Sequence, residues 1–404
     1  MQHPDRSPFN LAVLAAGLGF FIDAFDLFLF NVYRVPSLKE LGYSGSDLTH
    51  TGEKLLSIQM AGMMLGGILS GVWADRFGRV RVLFGSILLY SLANIANGFV
   101  HNVDAYALIR FLAGVGLAGE LGAGITLVGE RMSAENRGYG TILVATMGAL
   151  GAVSAGLAGT WLPWRTAFVV AGVAGLGMLF LRMRSMESPL YRQQQSSSRG
   201  SIRLLFSNRK RVMKYLACIL MGIPIWYSVG ILITLSPELA QLHGISELKM
   251  AYCFILFQVG IAVGDLSSGL ISQWLKTRKK TLIGFMALAI LATTLHYYLI
   301  YQQEIFYTSC LLMGLGCGYL SVFVTTTAEH FGTNLRVTVT ATVTNFMRGA
   351  VTLLIPFHQW IESQFDWSLT GGLIATGVMV WMLAIIATIW LPETYGKSMD
   401  FVEE

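Results

Sequence analysis

Residues 66–81 read GGILSGVWADRFGRVR, and residues 263–280 read VGDLSSGLISQWLKTRKK. Each stretch ends a long apolar run with small residues and then a burst of basic side chains. Laid over one another they bring Gly71 onto Gly269, a shift of about 200 residues. The same shift relates RFLAGVGLAGE and GERMSAENRG within 110–138 to LLMGLGCGYLS and AEHFGTNLRV within 311–337, so that Glu130 falls on Glu329 and Arg137 on Arg336. The chain reads as one module used twice. The second copy lacks the acidic residue of the first loop, because Gln273 stands over Asp75.

The solvent of this module is lipid. Of 404 residues, 54% are hydrophobic and only 13% charged, against about 25% charged in a soluble domain, and the mean hydropathy is +0.59. A soluble core of this size would leave large greasy patches exposed. In a bilayer every backbone group must be paired internally, which leaves helices or a closed barrel. The apolar runs are about 20 residues long, and a barrel strand needs only about 10, so the spans are helical. We place them at 10–33, 52–75, 82–100, 104–130, 137–161, 163–182, 213–236, 248–275, 280–301, 303–329, 336–361 and 367–391. The expected fold is all-α and integral to the membrane: twelve transmembrane helices in two pseudo-symmetric six-helix bundles. The bundles cover 1–182 and 213–404, joined by a polar, arginine-rich linker at 183–212.

Lysine and arginine favour cytoplasmic loops. With the N-terminus inside, 21 of the 28 basic residues fall on the cytoplasmic side, and five (Arg34, Lys39, Lys54, Arg165, Lys249) on the other. Both termini are therefore expected in the cytoplasm, with the net charge of +5 reporting topology rather than nucleic-acid binding. Cys218, Cys253, Cys310 and Cys317 all lie in apolar runs with no metal-ligand spacing, so they read as buried thiols. The first apolar run is too long for a cleaved signal, and motifs for hydrolysis or nucleotide binding are absent. Nothing points to an enzyme, a cofactor or a metal.

Charges inside spans are costly in lipid and mark function. Asp23 and Asp26 share one helix face in span 1, about 20–25 Å from the inner surface, and Arg110 in span 4 lies at a similar depth. Two carboxylates beside one arginine cannot both be neutralised, so one is a proton carrier; a fixed Asp26–Arg110 salt bridge is the competing reading. Glu120, flanked by Gly119 and Gly122, lies near the midplane with no sequence-local cation, which makes it a further proton site. Arg348 sits near the midplane in span 11, where a guanidinium suits a carboxylate or phosphate. Gln59, Trp226, Tyr227, Gln258, Tyr319 and Asn345 fall at depths where they can line a cavity. At the cytoplasmic span ends, Asp75, Arg76, Arg79, Arg81, Glu130, Arg137, Glu329, Arg336 and Glu393 form a candidate gate, in which Asp75 accepts hydrogen bonds at a helix N-terminus and ion pairs clamp the halves.

The segment Gly67-x-x-x-Gly71-x-x-Ala74-Asp75-Arg76-x-Gly78-Arg79-x-Arg81 resembles the loop signature of the major facilitator superfamily, and Pro392-Glu393-Thr394-x-Gly396-Lys397-Ser398 resembles the terminal motif of its sugar-porter-like members. GFFIDAFDLFLFN at 19–31 resembles the first span of phosphate:proton and aromatic-acid:proton symporters. The fourth span resembles that of metabolite:proton symporters and organic-ion transporters, and Arg348-Gly349 resembles the organic-anion branch. These resemblances imply a secondary active transporter of the bacterial inner membrane. It would work as a monomer in the lipid bilayer, importing a small organic anion or phosphate together with protons by alternating access, with the proton gradient as its energy source. A proton-antiport exporter of a drug, metabolite or siderophore is the alternative, although 138–161 contains no proline of the kind exporters carry there.

Overall fold

In the computed structural model the described residues are 11–77, 79–118, 137–186, 202–245, 248–298, 302–396 and 402–403. Helix occupies each of the twelve expected spans. In the first half these are α1 (Leu11–Glu40), α2 (Gly45–Phe77), α3 (Arg79–Asn97), α4 (Val103–Leu117), α5 (Arg137–Trp161) and α6 (Trp164–Met186). A short α7 (Ile202–Phe206) precedes α8 (Arg209–Trp226), which runs on as a π-helical turn (Tyr227–Ile233); then follow α9 (Ser236–Leu242), α10 (Met250–Trp274) and α11 (Lys279–Tyr298). The last three spans are α12 (Gln303–Cys317) with α13 (Leu320–Glu329), α14 (Thr333–Gly349) with α15 (Val351–Phe365), and α16 (Leu369–Trp390). Six helical stretches among the described residues are long and apolar enough to cross a membrane by length and composition. Large apolar side chains such as Trp274, Trp161 and Leu353 stand outward, as lipid-facing surfaces require.

The described chain forms two compact units: Met1–Gly42 with Ala61–Arg199, and Tyr43–Met60 with Gly200–Glu404. The first sixteen residues of α2, Gly45–Met60, thus group with the second unit although they precede most of the first. Within the first unit α1 packs on α5 and α6, and α3 on α4 and α6; within the second, α8 packs on α14 and α16, and α11 on α12 and α16. These are the same span pairs, one half-chain apart, so the sequence repeat is also a repeat of packing.

Glycine decides how close the helices come. A Cβ on Gly62 or Gly66 would lie 2.3 or 2.4 Å from the carbonyl oxygens of Phe111 and Val115. On Gly260 or Gly264 it would lie 2.2 or 2.3 Å from those of Leu311 and Leu315. Lipid tails are as apolar as leucine, so such backbone contact is the main source of helix association here. In α2 this close approach is documented at Gly62 and Gly66, near the middle of the helix. Gly66→Ala is expected to destabilise the first unit by about 1–3 kcal/mol, read as a lowered thermal midpoint in detergent; an unchanged midpoint contradicts the contact.

Candidate substrate and proton sites

In the first unit α1 carries its acids inward: Asp23 and Asp26 are buried. The Arg110 guanidinium on α4 is fully buried and lies 5.0 Å from the Phe30 ring centre and 5.3 Å from that of Phe168. Its Nε, Nη1 and Nη2 make no hydrogen bond among the described residues, and the Asp26 carboxylate acts on it electrostatically. Two aromatic faces and a carboxylate field therefore hold this cation, an arrangement that leaves its N–H groups uncommitted. Tyr106 completes the wall, edge-on to Phe30, stacked on Trp164 and 3.3 Å from Ser37 Oγ.

One expectation needs correction. The charge pattern makes Arg34 an outer-loop cation, but α1 continues to Glu40 through Pro36, and Arg34 is fully buried in it. Span 1 is anchored at that end by Tyr33, whose hydroxyl donates to the Ala158 and Leu162 carbonyls at 2.6 and 2.9 Å. Beyond the expected span end, Glu40 accepts from Trp164 Nε1 and Arg165 Nε; these bonds, with the Arg165 charge, bring its carboxyl below the usual range. The buried charges of α1 and α4 are thus two acids and two cations, not two acids and one.

In the second unit Arg348 is buried in the last turn of α14, where the helix C-terminus favours a cation. The helix is interrupted immediately after it, between Gly349 and Val351. Its guanidinium carbon lies 5.2 Å from the centre of the Trp226 ring, and Trp226 in turn ends α8 where the π-helical turn begins, two residues past Pro224. Asn345 is buried one turn before Arg348. Gln59 and Gln258 are both buried, and neither amide atom of Gln59 has a hydrogen-bond partner among the described residues. The tyrosines are more occupied. Tyr227 donates to the Leu373 carbonyl at 2.6 Å and lies 3.2 Å from Tyr297 Oη, while Tyr319 donates to the Met221 carbonyl at 3.2 Å. Those contacts pack spans together and commit the hydroxyls to backbone.

The gate residues are only partly brought together. Glu120 and Glu130 lie outside the described residues, and of Asp75, Arg76, Arg79 and Arg137 only the helical backbone is described. Arg81 is exposed and lines a cavity of about 420 Å³ with Gly66, Ser70 and Trp73. Glu329 pairs with Arg278 at 3.2 Å and accepts from Thr394 Oγ1 at 2.6 Å. Arg336, its expected neighbour in the clamp, donates from Nε to the Ala328 carbonyl at 3.0 Å. Glu393 caps α11, accepting from the Arg278 and Lys279 amides at 3.0 and 3.1 Å and from Thr277 Oγ1 at 2.5 Å. Burial alone would push the Glu393 carboxyl up, but the Thr277 bond and the amides of Tyr395, Arg278 and Lys279 bring it from 4.5 down to about 2. The helix-terminus role expected of Asp75 is seen at Asp265, whose Oδ1 accepts from the Ser321 amide at the start of α13 at 2.6 Å.

Two further features escape sequence reading. Glu53 and His358, each near a span end, are buried in contact with one another. Asn94 and Asn97, three apart on α3, are buried with no hydrogen-bond partner for either amide among the described residues. The i, i+3 spacing of Asn94 and Asn97 is a usable signal; the Glu53–His358 contact joins residues 305 positions apart and has none. Among the described residues, no group of three or more His, Cys, Asp or Glu is placed to hold a metal, and the four cysteines are buried and free.

Buried charges on helices that pack in two repeated sets, around glycine contacts suited to lipid, define a polytopic membrane transporter rather than an enzyme. The family described as Major Facilitator Superfamily matches residues 16–356, and the chain belongs to it. The chain is similar to the niacin transporter of Acinetobacter baylyi (25% identity, 96% of this chain and 94% of that protein) and to the cis,cis-muconate transport protein of the same organism (24% identity, 95% and 94%). A Bacillus subtilis relative matches at 27% identity over 63% of this chain, spanning 64% of that protein, just under two thirds of its length. The fold is that of a D-xylose-proton symporter, with a TM-score of 0.71 at 17% identity over 96% of this chain and 98% of that one.

Proposed function

We propose that this chain is a proton-coupled importer of small carboxylate anions, working as a monomer in the bacterial inner membrane with both termini in the cytoplasm. Its functional halves are 1–182 and 213–404, linked by 183–212. The observation that carries the reading is Arg348: a buried guanidinium 5.2 Å from a tryptophan ring centre offers a bidentate partner for a carboxylate beside an apolar, polarisable wall. The relatives named above support it, since niacin and muconate are planar carboxylic acids of that kind. Asp23, Asp26 and Arg110 supply the proton-responsive element, with Glu120 as a second candidate. Gln59, Gln258 and Asn345 supply amides near the bound anion.

Alternating access then needs two states whose stability the proton and the anion shift together. The test is uptake of labelled niacin by proteoliposomes under an imposed proton gradient, acidic outside. Accumulation that collapses with a protonophore is expected. Uptake indifferent to the gradient overturns the coupling, and gradient-driven expulsion of preloaded niacin points instead to antiport.

A further inference from the structure

Segment 45–60 of α2 is fastened to the second unit by more than packing. Thr352 Oγ1 donates to the Ser57 carbonyl at 3.2 Å, and Thr49 Oγ1 to Glu238 at 3.3 Å. At the centre of this seam stands Glu53, whose carboxylate is almost wholly buried. Its Oε2 accepts from Gln359 Nε2 at 2.6 Å, and its Oε1 lies 2.9 Å from His358 Nε2. The other nitrogen of that fully buried ring, Nδ1, lies 2.8 Å from Glu362 Oε1. From α2, His50 faces the rim of Glu53 at 3.9 Å. From α16, Glu362 and the His358 carbonyl are met by Gly372, where a Cβ would come within 2.6 Å of Glu362.

A neutral imidazole has one N–H and one lone pair. Here Nδ1 is hydrogen-bonded to Glu362 Oε1, and Nε2 lies 2.9 Å from Glu53 Oε1 as an ion-pair contact off the hydrogen-bond line. With both glutamates ionised and the ring neutral, one contact sets a lone pair against an anion in a buried site, which is repulsive. One added proton makes the Glu362 contact a charge-assisted hydrogen bond and the Glu53 contact an attractive ion pair. The geometry therefore calls for one proton more than a neutral ring and two carboxylates hold, whichever of the three groups carries it.

We propose that Glu53, His358 and Glu362 form a proton-binding latch, which ties residues 45–60 of α2 to α15 when loaded and lets them separate when empty. On the orientation deduced from the basic residues, the latch lies at the outer ends of spans 2 and 11. Protons arriving from outside would then favour closure of the outer side, the order an importer needs. That use in transport rests on the proton-coupled reading; the proton binding does not.

Spin labels at Lys54→Cys on α2 and Ser363→Cys on α15 report the latch directly, because both positions are exposed and the four native cysteines are buried. In lipid nanodiscs the separated population is expected to rise at least about threefold between about pH 5.5 and about pH 8.5. Glu362→Gln supplies an amide N–H to the Nδ1 lone pair, so this variant is expected to stay closed at both pH values. His358→Gln, which cannot titrate, is expected to give one pH-independent distribution. A native distance that ignores pH, or a Glu362→Gln protein that responds like the native one, overturns the proposal. A pH-driven separation without proton-driven niacin uptake leaves the latch standing and sinks the symport reading; proton-driven uptake with a pH-insensitive distance does the reverse.

Discussion

Under the proposed carboxylate-import function, replacing Arg348 by lysine is expected to yield a folded carrier whose affinity for a probe such as niacin falls about 10- to 100-fold, or about 1.4–2.8 kcal/mol. The charge survives in Arg348→Lys, and so does its favourable place in the last turn of α14. What disappears is the planar fork suited to both oxygens of a carboxylate and the guanidinium carbon 5.2 Å from the Trp226 ring centre. Thermal midpoint without ligand should move little, whereas the ligand-induced rise in midpoint should vanish at concentrations that saturate the native protein. Native affinity in the lysine variant would remove Arg348 from the binding site. A fall in the unliganded midpoint as large as the loss of the ligand effect would make it a structural cation instead.

The second large effect is expected at Asp26. Asp26→Asn removes the carboxylate that acts on Arg110 and leaves a fully buried guanidinium held chiefly by the rings of Phe30 and Phe168. Removing a counter-charge from the field around a buried guanidinium costs stability, so the thermal midpoint should drop. On the proposed symport reading, proton-driven accumulation of niacin should be lost, while exchange of labelled for unlabelled niacin at equal pH persists, because exchange needs no net proton movement. The double variant Asp26→Leu, Arg110→Met separates the roles: it should recover stability, since both charges are gone, without recovering accumulation. If the double variant still accumulates niacin against a gradient, this pair is structural and the coupling proton is bound elsewhere.

Much of this is legible in the amino-acid order alone. Span length and helical type follow from apolar content, because lipid leaves the backbone few options, and the twofold repeat follows from the motifs that recur about 200 residues apart. In the structure Gly62/Gly66 and Gly260/Gly264 approach equivalent carbonyls in the two halves of the chain. Burial of Asp23, Asp26, Arg110 and Arg348 is readable from their place in apolar runs. Their partners are not. Glu329 meets Arg278 and Glu393 caps α11, because several neighbours lie within reach of a span-end side chain and only the fold fixes which of them it meets. Arg34 is misplaced by its sequence context because a charge near a span end looks the same whether the helix stops or continues.

The sequence by itself thus determined the solvent, the helices, the internal repeat and the list of charges that lipid makes expensive. All of these are properties of single segments, or of segments compared with one another. Only the tertiary structure decided which charges meet: that Arg110 rests on two aromatic rings, that Arg348 faces Trp226, and that residues 45–60 of α2 group with the second unit through Glu53 and His358. The physical reason is that hydropathy is summed along the chain, whereas a buried ion pair depends on the direction and distance of side chains from helices far apart in it.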